Sequence, residues 1–315
     1  MKVLTVKETA AWLQERDHFA IATHRRPDGD TLGSGAALCL GLRQLGKTAY
    51  LVENPEVTSK YRFLTDGISK TCVEQKDTLI CVDTASRDLL GSLSILADRI
   101  GLRIDHHGSA ESFTPCELVQ PEKAACGEIV YEILTCLGVT LDRQIANALY
   151  TAISTDTGCF RFANTTDNTL LVASKCAAAG AELFKINQAL FIVTSLTKLR
   201  VQSYLVENAR FSQEGRVAVC PLPLAAEQEM GATEEDLENI SSFPASIQGV
   251  KVAATLRQTP DGLIKLSVRA VPGYDAAAVC ACFGGGGHKG AAGATFKMTM
   301  EEAVIAVEKA MPVTE

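Results

Sequence analysis

The stretch HFAIATHRRPDGDTLGSGAALCLGLRQLGKTAYLVE (18–53) carries the decision about fold. HFAIATH (18–24) is a short apolar run, TLGSGAALCLGLRQLG (31–46) has the length and spacing of a helix, and TAYLVE (48–53) is a second apolar run. Two strands joined through a helix lie parallel in one sheet. TLICVDTA (78–85) and LRIDHH (102–107) extend the pattern, which predicts an α/β fold, a parallel sheet with helices on both faces. Three of these runs stop at a polar residue, His24, Asp83 and Asp105. Ligands of open α/β sheets bind beyond the carboxyl ends of the strands, so these are the residues to watch.

Helical patterns follow at 124–137, 143–155, 167–179 and 183–191, and the charged segment TSLTKLRVQSYLVENAR (194–210) reads as a connection. Beyond it the texture changes to a strand (RVAVCPL), an acidic helix (TEEDLENISSF) and two strands about a D-G turn (VKVAATLRQTPDGLIKLSVRA). A helix-like DAAAVCACF then runs into GGGGHKGAAG. Those strands alternate apolar and polar residues, as a sheet with one solvated face does. The expected division is a larger α/β domain over 1–190, a helical linker over 191–210 and a smaller α+β domain over 211–315.

With 315 residues, 47% hydrophobic and 21% charged, the chain is long enough for two such domains. The charged, amphipathic MKVLTVKETAAWLQERD does not read as a signal peptide, and no apolar run reaches the roughly 18 residues that span a bilayer. A soluble cytoplasmic protein without membrane partners is expected. The eleven cysteines, an odd number with no C-x-x-C pair, fit small buried hydrophobes in a reducing compartment. A net charge of -7 argues against wrapping a long polyanion, since non-specific nucleic-acid affinity comes from many Lys and Arg on phosphates. Small anions remain open to it, because bound cations supply positive charge locally.

Five motifs carry chemistry. H-R-R-P-D-G-D (24–30) places His24, Asp28 and Asp30 on a tight loop, a donor set suited to a divalent ion such as Mn²⁺, although P-D-G-D is also an ordinary turn. Asp83 ends its strand, where a lone carboxylate is often only a helix cap. Asp105, His106 and His107 close the next strand, and three of the chain's five histidines fall within these two motifs. In T-D-T-G-C-F-R-F (155–162), Asp156 ends a helical pattern, where a carboxylate opposes the helix dipole and calls for a cation. In F-G-G-G-G-H-K-G-A-A-G (283–293), Gly285, Gly286 and Gly287 let the backbone approach a ligand and present N–H groups to an oxyanion, with His288 and Lys289 adding donors; a flexible linker is the plainer reading, but the run sits between a helix-like segment and an apolar one rather than among serines. So many carboxylates and imidazoles do not cluster without cations. Two metal ions roughly 3.5–4 Å apart rationalise the set, and the implied reaction is phosphoester hydrolysis.

In order, H-R-R-P-D-G-D, V-D-T-A, D-H-H and T-D-T-G-C-F-R resemble the four motifs of the DHH phosphoesterase superfamily, and G-G-G-G-H-K-G-A-A-G resembles the substrate-binding motif of the DHH-associated domain. The compact length is most similar to the branch of nanoRNases and pAp phosphatases. The resemblance implies that His24, Asp28 and Asp83 hold one Mn²⁺, that Asp30, Asp83, His106 and Asp156 hold a second, and that Asp83 bridges them. It implies that His107 faces the scissile phosphate, that Asp105 orients the histidines, and that Arg269 and His288 grip substrate phosphate. Ala270 follows Arg269 where the family more often has Ser, which bears on substrate preference. Short RNA oligonucleotides or pAp are the implied substrates, long duplex nucleic acid is not, and a homodimer is implied by the resemblance alone.

Other readings share parts of the pattern. A RecJ-like exonuclease would add a nucleic-acid-binding module and a basic groove. A phosphodiesterase for pApA or cyclic di-AMP would use the same core, and an inorganic pyrophosphatase with D-H-H would lack the glycine-histidine motif. A non-catalytic nucleotide sensor would not need every ligand position filled.

Overall fold

The computed structural model describes residues 1–108 and 112–312 and divides into two compact units, Met1–Val193 and Thr194–Glu315. In the first, seven strands form one parallel sheet in the order β1-β7-β6-β5-β2-β3-β4. They are β1 (Lys2–Val3), β2 (Phe19–Ala22), β3 (Ala49–Val52), β4 (Ser69–Lys70), β5 (Thr78–Val82), β6 (Ile100–Asp105) and β7 (Cys116–Val119). The helices are α1 (Val6–Gln14), α2 (Gly29–Gln44), the single turn α3 (Arg62–Thr65), α4 (Cys126–Cys136), α5 (Arg143–Asp156), α6 (Asp167–Ala178) and α7 (Leu183–Asn187), which runs on into a π turn at Gln188–Ile192.

Both faces of the sheet are covered, but unequally. Phe19, Ile21, Leu51, Ile80, Val82, Leu102 and Ile104 point into a core shared with α1, α2, α4, α5 and α6. The alternate residues Ala20, Ala22, Tyr50, Val52, Leu79 and Cys81 meet Leu90 and Ala97 of a 3₁₀ segment, Arg87–Arg99. Side chains of successive strand residues point to opposite faces, which is why the runs read as almost uniformly apolar. Six cysteines are buried and all eleven are free. Among the described residues no helix is long and apolar enough to cross a membrane.

The second unit holds α8 (Leu196–Glu207), α9 (Leu224–Met230), α10 (Ala276–Ala281), α11 (Met300–Ala310) and a six-stranded mixed sheet. Its strands, in the order β12-β13-β11-β10-β9-β8, are β8 (Arg210–Ser212), β9 (Val217–Leu222), β10 (Val252–Gln258), β11 (Ile264–Ala270), β12 (Gly286–Gly287) and β13 (Ala291–Phe296). Three expectations need adjustment here. The connection read at 191–210 is α8, whose Val201 and Leu205 are buried in this unit's own core. The inner strands β9 and β10 are buried on both faces; β11, where Lys265 is exposed between buried Ile264 and Leu266, alternates as expected.

TEEDLENISSF is not an acidic helix. Its start is capped, with the Thr233 hydroxyl accepting from Asp236 N–H, but Asn239 takes a left-handed φ of 57° and only 3₁₀ turns follow at Ile240–Ser242 and Pro244–Ser246. Four acidic residues in five positions repel one another along a helix, and here they find partners elsewhere: Glu234 pairs with Arg257 and Asp236 accepts from Ser195.

Helix α2 fixes the geometry of the first unit. A Cβ on Gly33 would stand 2.4 Å from the Ala148 carbonyl oxygen and 2.9 Å from Ala152 N, so α2 and α5 approach backbone to backbone. Gly29 is equally close to Thr155, in the last turn of α5. The contact lays the C-terminus of α5, with Asp156, beside the N-terminus of α2, with Asp28 and Asp30. Gly33→Ala is expected to force the two helices apart at a cost of about 1–3 kcal/mol, read as a fall in melting temperature of roughly 3–10 °C for a unit of this size. An unchanged melting temperature would show that the contact does not constrain the helices.

Candidate metal centre

Strands β6, β5 and β2 are neighbours, and the chain leaves β2 and β5 in opposite directions, toward β3 on one side and β6 on the other. A crevice opens at the carboxyl ends of strands where such a reversal occurs. His24, Asp83 and the run Asp105, His106, His107 all stand at that edge, and the loop of P-D-G-D brings in Asp28 and Asp30.

Each side chain is held by a local device. His24 directs Nδ1 to the Arg25 carbonyl at 2.8 Å, so Nδ1 carries the hydrogen and Nε2 faces Asp28 Oδ1 at 3.7 Å and Asp83 Oδ2 at 3.6 Å. The His24 carbonyl is itself fixed by Asn54 Nδ2 at 2.9 Å. Asp28 is the N-cap of α2, accepting from the N–H groups of Asp30 and Thr31. Asp30 is fully buried and reaches across to α4, whose N-cap Ala125 has no side-chain acceptor. Its Oδ2 accepts from Cys126 N at 2.7 Å and its Oδ1 from Gly127 N at 3.0 Å.

Asp83 sits at the middle of the cluster. Its backbone is left-handed, φ 52°, its side chain is buried, and Oδ1 has no hydrogen-bond partner. A non-glycine residue in that backbone region stores strain that neighbouring structure must hold, here the bond from Asp83 N to the Ile104 carbonyl. His106 fixes Nδ1 on the Lys123 carbonyl and turns Nε2 to three carboxylates, Asp156 at 3.3 Å, Asp83 at 3.4 Å and Asp30 at 3.7 Å. His107 bonds Asp105 through Nδ1 at 2.8 Å, and the same Asp105 oxygen accepts from the N–H groups of both histidines.

Charge follows from this crowding. Burial disfavours the imidazolium of His24, yet Asp28 and Asp83 outweigh it and raise its pKa to about 11. His106 is raised to about 10 against the same penalty, by Asp83 and then Asp30. Asp156 is pushed up to about 7 by burial and by the charge of Asp83. Burial, Asp83 and Asp156 raise Asp30 well above the carboxylate range. Asp83 alone goes the other way: burial opposes its charge, but His106 and His24 hold it well below the usual range. Protons on imidazoles therefore balance carboxylates wherever no other cation does so.

The donor atoms form three groups, each spanning no more than 4.8 Å: His24, Asp28 and Asp83; Asp30, His106 and Asp156; and Asp83, His106 and His107. Oxygen and imidazole donors at that spacing could hold divalent ions, and Asp83 Oδ1, which accepts no hydrogen bond, is an atom such an ion would satisfy. His24, Asp28, Asp83, His107 and Asp156 line a cleft of about 360 Å³. A cavity of about 780 Å³ lies between α2, α3, α5 and α7 and contains none of these groups, so chemistry rather than volume locates the site.

The sequence reading passed over two residues on the cleft wall, Arg25 and Arg26. Arg26 has a left-handed φ of 49° and its N–H is held by the Glu56 carboxylate at 2.6 Å. Consecutive arginines inside an acidic motif were the available signal.

In the second unit, Arg269 is half-buried on β11 and bonds only the Val268 carbonyl, with no carboxylate at ion-pair distance among the described residues. Burial lowers its pKa. His288 is exposed in the turn between β12 and β13. The expectation that the glycines offer N–H groups to an oxyanion does not hold for Gly285, whose N–H goes to the Cys280 carbonyl; the backbone N–H of His288 goes to the Ala291 carbonyl. Close approach explains the glycines instead: a Cβ on Gly285 would lie 2.2 Å from the Gly293 carbonyl oxygen.

Comparison with known proteins agrees with this architecture. The model of the DHH family, N-terminal domain, matches residues 18–153, and that of the DHHA1 domain matches residues 215–311. The bifunctional oligoribonuclease and PAP phosphatase NrnA of Thermus thermophilus is 33% identical over 281 residues, 88% of this chain and 83% of that protein. An exopolyphosphatase-related protein from Bacteroides fragilis superimposes with a TM-score of 0.84 at 25% identity, covering 97% of this chain and 94% of the other. The exonuclease RecJ bound to manganese shares the fold, with a TM-score of 0.52 at 15% identity over 98% and 94% of the two chains. With both domain models matched in order and a relative a third identical along most of its length, the chain belongs to the DHH family.

Proposed function

We propose that the protein is a metal-dependent phosphoesterase that hydrolyses short oligoribonucleotides to mononucleotides and pAp to AMP and phosphate. The observation that carries the reading is the buried Oδ1 of Asp83, which accepts no hydrogen bond and faces His106 at 3.4 Å and His107 at 3.6 Å, beside the donor group of Asp30, His106 and Asp156. Asp83 would be shared between one ion with His24 and Asp28 and a second with Asp30, His106 and Asp156. Manganese is the proposed metal, in line with the RecJ relative and the mixed oxygen and imidazole donors. Ions held there would supply Lewis acidity toward phosphoryl oxygens and a water.

The chain's own groups do the rest. His107 is tied to Asp105 through Nδ1, so its Nε2 is turned away from that carboxylate and is free to donate toward a phosphoryl or leaving oxygen. The Asp105 hydrogen bond is the main cause that raises its pKa, which favours the ring form in which Nε2 also carries a proton. Arg25 and Arg26 offer the cleft wall's positive charge to an anionic substrate, and Arg269 offers a half-buried guanidinium in the second unit. The net charge of -7 favours substrates with few phosphates over long strands. The name of the Thermus thermophilus relative supports both proposed activities.

Incubation with Mn²⁺ and, separately, pAp, pApA, cyclic di-AMP, a five-nucleotide RNA and long single-stranded DNA is expected to give the highest initial rates on the short RNA and pAp. Faster turnover of long DNA or the cyclic dinucleotide would overturn the substrate assignment. Asp83→Ala is expected to lower kcat by about 10³-fold or more on every substrate, with full activity in added Mn²⁺ sinking the two-ion scheme.

The site also sets a pH dependence. His24 and His106 hold more protons folded than unfolded, so their contribution to metal-free stability is complete below about 6.5 and is lost as pH rises toward 10 and 11. The melting temperature without metal is therefore expected to fall across that window and to recover on adding Mn²⁺. Because ligands must shed those protons, Mn²⁺ affinity is expected to rise about tenfold or more per pH unit near neutrality. Calorimetry in buffers of different ionisation enthalpy measures the release directly, and no net proton release would contradict the ligand set.

A further inference from the structure

Arg103 is 1% exposed, in β6 two residues before Asp105 and therefore on the same face of the strand. A guanidinium is costly to bury, and its placement in an apolar strand calls for a reason. Its Nη2 meets Glu117 Oε2 at 2.9 Å, its Nη1 lies 3.7 Å from Asp105 Oδ2, and Nη1 also donates to the Ala85 carbonyl at 3.3 Å. The Phe113 ring lies 5.3 Å from it. Glu117 is otherwise well provided, accepting from Ser112, Phe113 and Thr114. Asp105 is fully buried, and its two oxygens divide their work. Oδ1 receives both histidine N–H groups and His107 Nδ1, while Oδ2 has no hydrogen bond, and Arg103 is the cation beside it.

We propose that Arg103 is a positioning residue for His107, acting through Asp105; the catalytic part of this role rests on the phosphoesterase reading above. The buried guanidinium faces Oδ2 of Asp105 and so holds the carboxylate turned with Oδ1 toward the histidines. That carboxylate in turn sets which His107 nitrogen carries the fixed hydrogen and leaves Nε2 for the cleft. A neutral residue at 103 removes the group that Asp105 Oδ2 faces, so the carboxylate is free to rotate, and rotation releases His107 Nδ1.

The alternative is that Arg103 serves only to neutralise Glu117 and hold the turn before β7. Arg103→Met, Arg103→Lys and the double variant Arg103→Met with Glu117→Gln separate the two. Gln keeps an acceptor for the Phe113 and Thr114 N–H groups while removing the charge, so the double variant leaves no unpaired ion at 117 and is the better prospect for folding. Kinetics on pAp and proton NMR of the His107 Nδ1–H in the metal-free protein are the two readouts. Arg103→Met and the double variant are expected to lose about 10- to 100-fold in kcat with KM within about twofold, and Arg103→Lys to recover a large part of that loss. The Nδ1–H resonance is expected to shift upfield or vanish by exchange in both Met-containing variants and to persist with Lys. A double variant with wild-type kcat, or an unmoved resonance in it, would overturn the role. Should the wild type cleave no phosphoester at all, the phosphoesterase reading fails, and the NMR arm still decides whether Arg103 sets the state of His107.

Discussion

Negative charge concentrated at one edge of a sheet is the constraint around which the first unit is organised. Asp28, Asp30, Asp83, Asp105 and Asp156 arrive from two strand ends and two helix ends, and four of the five are largely shielded from water. Carboxylates so placed must be neutralised by protons, by imidazolium groups, by arginine or by metal ions. Without metal the histidines do part of this, at pKa values far from their ordinary one, while helix N-termini and Arg103 do the rest. Such an arrangement lowers stability for its own sake and is retained where a site needs it.

The positions of these groups come from packing that involves no charge. Gly29 and Gly33 bring α2 onto α5, and Gly127 does the same for α4 against Ala152. Small residues along the inner side of α2 thus set the distance between carboxylates on two different helices. The left-handed backbone of Asp83 is a second device, aiming its side chain back into the crevice at the point where β5 ends.

Much of this was legible in sequence because strand ends in a parallel sheet are marked by the change from apolar to polar residues, and His24, Asp83 and Asp105 stand at such changes. The motif order gave the family, and the helices over 31–46, 143–155 and 167–179 lie within two residues of where spacing put them. What could not be read was tertiary. The acidic run 233–243 has helical composition, and only the partners found by Glu234 and Asp236 explain why it takes another form. The glycines at 285–287 looked free to bind a ligand because sequence does not reveal that Gly285 N–H and the Gly293 carbonyl are already close to other backbone. Arg103 is two residues from Asp105, yet an arginine inside an apolar strand gives no sign of the Glu117 that meets it from β7.

Asp30 caps α4 from ninety-six residues away while facing the carboxylate cluster with the same side chain. Phenotype at this position is thus pleiotropic by construction. A screen that scores cellular abundance and turnover separately would find the two inseparable at Asp30, whereas at Asp28, half-exposed on its own helix end, they can come apart. Residues of the first kind tie the upkeep of the fold to that of the site, so that drift in one is corrected by selection on the other.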